Sequence, residues 1–412
     1  MTSPTESTDS APKENRFSKH PWLAGVIVSI IILLLLEGGS QIALWIRDKF
    51  QAQPDATPEE LYLSTLKARD SIDQNLMTKE MQYLYQDNIQ FHPYRWYKLP
   101  GNFKGTYIQT EGLGYRFNPE EADIQKSFMA CYGGSTMFSI YTKQDGTIPS
   151  LLNSQNLLPD SIYALNMGVG AYGSSTELMS FIETTRKYPI KYALFLDGVN
   201  EVTRYLDRFM YFKDEEMYDY WNYPYSTALS YAYMNTLNSR ASELEMRKKR
   251  EWKPAIYWVS VSLLGKLKKL FPQAPESVST LVSGWSESDY EKAGKLAAKI
   301  YLDNIRDIQA LAEAKGIKAY FILQPSLFST QRPLSEQEQV FIDNNHPFVS
   351  AIHKSVYKHI LAADKGDLNF YDMSGAWDDM PKGDYFYDWH HVNKAGNDFL
   401  ARKIAKEISL FR

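Results

Sequence analysis

Ser135 follows Phe128-Met129-Ala130-Cys131-Tyr132-Gly133-Gly134, an apolar run closed by a glycine pair. A serine so placed stands at the carboxyl end of a buried strand and the start of the next helix. Ligands bind parallel sheets at such strand ends, and free backbone N–H groups there stabilise negative charge. Taken alone, the stretch also reads as a strand-to-helix turn with a capping serine. The far end of the chain adds to it. Asp388-Trp389-His390-His391 sets a carboxylate and an imidazole in one loop before the last helix. In such a loop the carboxylate can hold one ring nitrogen while the other faces a nucleophile from a different strand, and an imidazole is suited to take a serine's proton. Ser135, His391 and Asp388 are thus a candidate nucleophile, base and orienting acid. Attack on a carbonyl also needs donors for the developing oxyanion. Two further strand ends offer them. One is the glycine-rich Met167-Gly168-Val169-Gly170-Ala171-Tyr172-Gly173; the other is Asp197-Gly198-Val199-Asn200-Glu201, whose Asn200 amide can donate. Asn200 alone would pass for a turn residue.

The elements that must position these groups follow from the alternation of short apolar runs with helix-period segments. Strands are expected at residues 128–132, 162–166, 192–196, 317–323 and 368–371, and helices at 176–187, 290–315, 336–363 and from 393 to 410. The expected fold class is α/β, a three-layer α/β/α sandwich on a parallel sheet. Residues 203–288 are too long for an ordinary connection and read as an insertion. Its first part is dense in aromatics, of which Tyr205, Tyr211 and Trp221 are candidates to stack on a sugar ring or line an acyl groove; packing against the core is the equal alternative. Ahead of the sheet, residues 47–126 read as a stalk helix (57–87) and a leader of short strands and turns, aromatic and glycine-punctuated.

Composition narrows the classes. With 412 residues and 44% hydrophobic content the chain can bury a large core, and a net charge of −4 gives no basic footprint for nucleic acid. The single cysteine, Cys131, excludes an internal disulfide, and no Cys or His spacing suggests a metal or other cofactor. Residues 1–21 form a polar tail. Residues 22–46 read as a transmembrane anchor with Trp22 and Trp45 near the two interfaces and Glu37 as its one acidic residue; a signal-peptide apolar region ending at Glu37 is the alternative. Lys13, Arg16 and Lys19 before the span, against Arg47 and Lys49 after it, give a slight bias to a cytoplasmic N-terminus and an extracytoplasmic, periplasmic remainder.

The order serine, glycine loop, asparagine, Asp-x-x-His over about residues 127–411 resembles the SGNH (GDSL) hydrolases. Gly133-Gly134-Ser135-Thr136 is similar to a Gly-Gly-Ser-Thr variant of membrane-anchored bacterial members. The Asp of the usual Gly-Asp-Ser is missing here, which bears on substrate preference more than on catalysis. The family's oxyanion glycine falls on Ala171, with Gly170 beside it. Its Gly-x-Asn-Asp appears as Gly198-Val199-Asn200-Glu201, and Asp388, His391, Gly396 and Ala401 keep the last motif, favouring His391 over His390 as base. His92-Pro93-Tyr94 and residues 112–116 also resemble the leader of the anchored subgroup. The resemblance implies a serine esterase whose acyl-serine intermediate forms over an oxyanion hole of the Ser135 and Ala171 N–H groups and the Asn200 amide. O-acyl groups on a cell-envelope or exported polysaccharide are the expected substrate. A polysaccharide O-acetyltransferase and a non-catalytic glycan-binding or assembly protein stay open as alternatives.

Overall fold

The computed structural model describes residues 21–50, 72–117, 126–204, 285–345 and 347–408. Two compact units divide the chain; of the described residues, 21–50 belong to one and the rest to the other. In the first, α1 (Pro21–Phe50) is one continuous helix whose described apolar side chains, Val26 to Val28, Ile30 to Ile32 and Leu34 to Leu36, are exposed. Counted over the described residues alone, no helix is long and apolar enough to cross a membrane. The anchor foreseen for residues 22–46 therefore stays an expectation.

The second unit is built on five parallel strands in the order β4-β3-β5-β6-β7, where β3 is Ser127–Gly133, β4 Ile162–Asn166, β5 Ile190–Asp197, β6 Lys318–Leu323 and β7 Phe370–Asp372. Every residue of β3 after Ser127 is buried, as a parallel strand covered on both faces requires. Alternate residues of β3 feed two cores. Phe128, Ala130 and Tyr132 meet one helical layer, formed by α5 (Ser174–Lys187), α7 (Glu287–Ala314) and α9 (Pro347–Ala362). Met129 and Cys131 meet the other, formed by α4 (Ile148–Ser154), α8 (Glu336–Asp343) and α10 (Lys394–Glu407). The expected three-layer arrangement is present. Aromatic rings stack across adjacent strands on the first face, Tyr132 on Phe195 at 4.7 Å and Phe195 on Phe321 at 5.3 Å.

Because β4 lies on one side of β3 and β5 on the other, the direction of winding reverses between β3 and β5, which opens a crevice at their carboxyl ends. Ser135 follows β3 as the first residue of the short helix α3 (Ser135–Phe138), and Asn200 follows β5 in α6 (Val199–Arg204).

The leader shares this core. Helix α2 (Gln74–Gln82), capped by Asp73, runs on into a wider π-helical turn at Tyr83–Asp87, and β1 (Gln90–His92) pairs antiparallel with β2 (Trp96–Lys98). Leu84, Tyr97, Leu99, Ile108 and Tyr115 are buried with Phe128 and Tyr132 of β3.

One expected helix is divided in the structure, and parts of two other expected segments lie outside the described residues. The single helix expected over 336–363 is two, α8 and α9, separated at Asn344 and Asn345, because the Pro347 ring cannot continue a preceding helix but fits the first turn of a new one. Of the stalk helix expected over 57–87, only the part from Gln74 onward is seen; residues 57–71 lie outside the described residues. The insertion, with Tyr205, Tyr211 and Trp221, also lies outside them from 205 to 284.

Candidate active site

The glycine pair before Ser135 is required by space. A Cβ on Gly133, which has φ +154, would lie 2.9 Å from the Leu196 carbonyl oxygen; one on Gly134 would lie 2.0 Å from Asn200 Nδ2 and 3.0 Å from the Tyr172 carbonyl oxygen. The end of β3 thus passes between the two donor loops with no room for a side chain. Gln324, directly after β6, donates from Nε2 to Thr136 Oγ1 at 2.9 Å, and Tyr357 of α9 donates to the Gln324 carbonyl at 2.7 Å. The turn at Ser135 is therefore braced from β6 and from α9 behind it.

The structure brings Ser135, His391 and Asp388 together. Ser135 Oγ lies 2.6 Å from His391 Nε2, and His391 Nδ1 is hydrogen-bonded to Asp388 Oδ2. Asp388 Oδ1 accepts the backbone N–H groups of His390 and His391, each at 2.8 Å. The loop is closed by a bridge between Phe386 and Val392 and by the Tyr387 N–H to the His391 carbonyl at 2.7 Å. Burial alone would raise the Asp388 carboxyl, but the His391 and His390 imidazoles and the bonds from His391 outweigh it and hold the group well below the usual carboxylate range. An ionised carboxylate can only accept, so Nδ1 of His391 carries the proton and Nε2 turns its lone pair to Ser135. His390, whose ring centre lies 3.8 Å from that of His391, is pushed down to about 3, chiefly by burial.

On the donor side, the Val169 N–H bonds the Gly133 carbonyl at 3.1 Å, which lays the glycine loop along the end of β3. Ala171 is exposed and sits at φ +58. Neither its N–H nor that of Ser135 has a hydrogen-bond partner among the described residues. Gly170 is differently placed: its N–H donates to the Tyr85 hydroxyl at 2.9 Å, and its carbonyl accepts the Tyr97 hydroxyl. Asn200 Nδ2 donates to the Tyr172 carbonyl at 2.5 Å, which leaves the second amide hydrogen over. Glu201 steadies this loop, its carboxylate accepting the Ser174 N–H at 2.8 Å and the Gly198 N–H at 3.1 Å.

Four residues that the sequence did not single out for this site border it. Tyr85 and Tyr97 hold the glycine loop and Gln324 holds Thr136. Arg116, fully buried, donates to the carbonyls of Phe138 and Ser139 at 2.8 Å and of Thr142 at 2.5 Å, pinning the turn after α3. Arg116 lies in the leader segment 112–116, yet nothing in that pattern marks a guanidinium that buries. Asp388, His390 and His391 are the one group of three metal-capable side chains among the described residues, their ligand atoms within 4.8 Å of one another. Hydrogen bonding already accounts for that closeness.

No family model and no curated protein matches the sequence. Among solved structures, the chain is similar to a lipolytic protein of the G-D-S-L family from Desulfitobacterium hafniense, at 8% identity and TM-score 0.35, over 69% of this chain and 100% of that one. It is also similar to a GDSL-like lipase from Bacteroides thetaiotaomicron, at 10% identity and TM-score 0.32 over 69% and 89% of the two chains. The acetyl xylan esterase AlAXEase gives 12% identity and TM-score 0.33 over 68% and 99%.

Proposed function

We propose that this protein is a serine esterase that hydrolyses carboxylic esters through an acyl-serine intermediate. The observation that carries the reading is the continuous relay from Asp388 through His391 to Ser135, with Ser135 Oγ 2.6 Å from His391 Nε2. Ser135 attacks the ester carbonyl as His391 accepts its proton, and Asp388 keeps the ring oriented and stabilises the imidazolium. The oxyanion is held by the Ser135 and Ala171 N–H groups with the second amide hydrogen of Asn200. His391 then returns the proton to the leaving alcohol, and water, deprotonated by the same ring, releases the acid. The reaction class is set by these groups and the acceptor is not.

The finer reading places the enzyme on a membrane through α1, with its catalytic unit outside the cytoplasm and O-acyl groups of a cell-envelope or exported polysaccharide as substrate. Its support is the apolar surface of α1, exposed at successive residues and so on every side of the helix.

The test uses the purified full-length chain and the release of p-nitrophenol from p-nitrophenyl acetate and butyrate. Ser135→Ala and His391→Ala are expected to fall to the buffer rate while keeping the wild-type melting temperature. Equal rates in wild type and both variants would reject the esterase.

A further inference from the structure

We propose that the hydroxyl of Tyr97, in the leader, is a positioning group for the oxyanion hole, acting through the Gly170–Ala171 peptide. The inference deepens the esterase reading and rests on it for its kinetic arm. The Gly170 carbonyl and the Ala171 N–H are the two ends of one planar trans peptide, so they point in opposite directions. The Tyr97 hydroxyl donates to that carbonyl. Fixing the oxygen toward Tyr97 fixes the N–H away from it, and this N–H has no partner among the described residues.

The peptide has a reason to turn over. Ala171 has φ +58, a conformation that a residue with a Cβ disfavours. Rotating the peptide by half a turn would carry Ala171 to an ordinary negative φ and relieve that cost. It would also present a carbonyl oxygen where a donor is needed, repelling the oxyanion instead of binding it. Tyr97 opposes the turn, and its own place is secured. It is buried, its backbone carbonyl accepts the Tyr172 hydroxyl, and its ring meets that of Tyr172 edge-on at 5.4 Å. Tyr85 holds the other side of Gly170 by accepting its N–H at 2.9 Å, and a Cβ there would lie 2.9 Å from the Tyr85 hydroxyl. A hydrogen bond on the carbonyl also polarises the peptide and strengthens its N–H as a donor.

Tyr97→Phe keeps the ring and removes the one group the proposal needs. In the full-length chain kcat is expected to fall about tenfold to a hundredfold with KM within about twofold, since the missing interaction is made in the transition state. Adding Ala171→Gly removes the penalty on positive φ and should recover several-fold of the loss; a packing role for Tyr97 predicts no such rescue. The crystal structure of Tyr97→Phe should show the Gly170–Ala171 peptide turned over. An unturned peptide, or a turned one with unchanged kcat, overturns the proposal. Were wild type itself inactive on every ester, the esterase reading would fail on that ground, and the orientation of the peptide in the variant would still decide this one.

Discussion

Asp197 ends β5 beneath the loop that carries Asn200, and it is buried together with Glu177 and Glu201. Burial and the charge of Glu201 push its carboxyl from 3.8 up to about 8. The folded protein therefore holds a proton that the unfolded chain releases near 3.8. Below that value both states are protonated and the contribution to stability is complete; it is lost as pH rises toward about 8. Asp197→Asn keeps the shape without the proton, so its melting temperature relative to wild type should climb between pH 5 and pH 8.5. Melting curves that shift in parallel across that range would refute the assignment. At this scale the sequence was informative where the local geometry forces a pattern: Ser135 after two glycines and Asp388 three before His391. It was silent on Tyr97, because a hydroxyl that reaches a carbonyl far along the chain leaves no spacing in Trp96-Tyr97-Lys98. Glu201 lay between these cases. Its position was read from the loop motif, but its bond to the Ser174 N–H depends on where α5 begins.

Among the elements, the parallel strands were legible because burial on both faces makes each one a nearly continuous apolar run. The leader was harder, since glycine-punctuated aromatics show no period and only tertiary packing tells that Leu99, Ile108 and Tyr115 belong to the main core. The apolar period across 336–363 concealed a break that Pro347 imposes. Helix α8 is locked by a pair hidden from water on both sides: Arg332 Nη2 meets both Glu338 oxygens at 2.7 Å, with the side chains 1% and 0% exposed. Glu338 also accepts the Tyr385 N–H at 3.1 Å, tying α8 to the segment that leads to Asp388. Arg332→Leu should cost about 3–5 kcal/mol in urea unfolding, because it strands a buried carboxylate. Adding Glu338→Gln should restore much of the loss. A single variant as stable as wild type would show that the pair contributes nothing.

For the whole molecule, the membrane reading has a direct test in a fusion after residue 50. Alkaline phosphatase, which folds only outside the cytoplasm, should be active there, whereas a fluorescent cytoplasmic reporter at the same point should stay dark. The opposite pattern would sink the proposed envelope substrate. The fold class was legible at this scale from the alternation of strands and helices, while the sharing of one core by leader and sheet was not, because it depends on contacts between distant segments.

The hydrogen bond between Ser135 and His391 spans 256 positions of sequence. In the time order of synthesis, the leader, Ser135 and the loops after β4 and β5 leave the ribosome long before His391, which meets Ser135. Long-range closures of this kind are the slow ones in folding. A growing chain can thus complete the braces around its serine while that serine is still an ordinary alcohol, and under the proposed mechanism hydrolysis would begin only when the last loop docks.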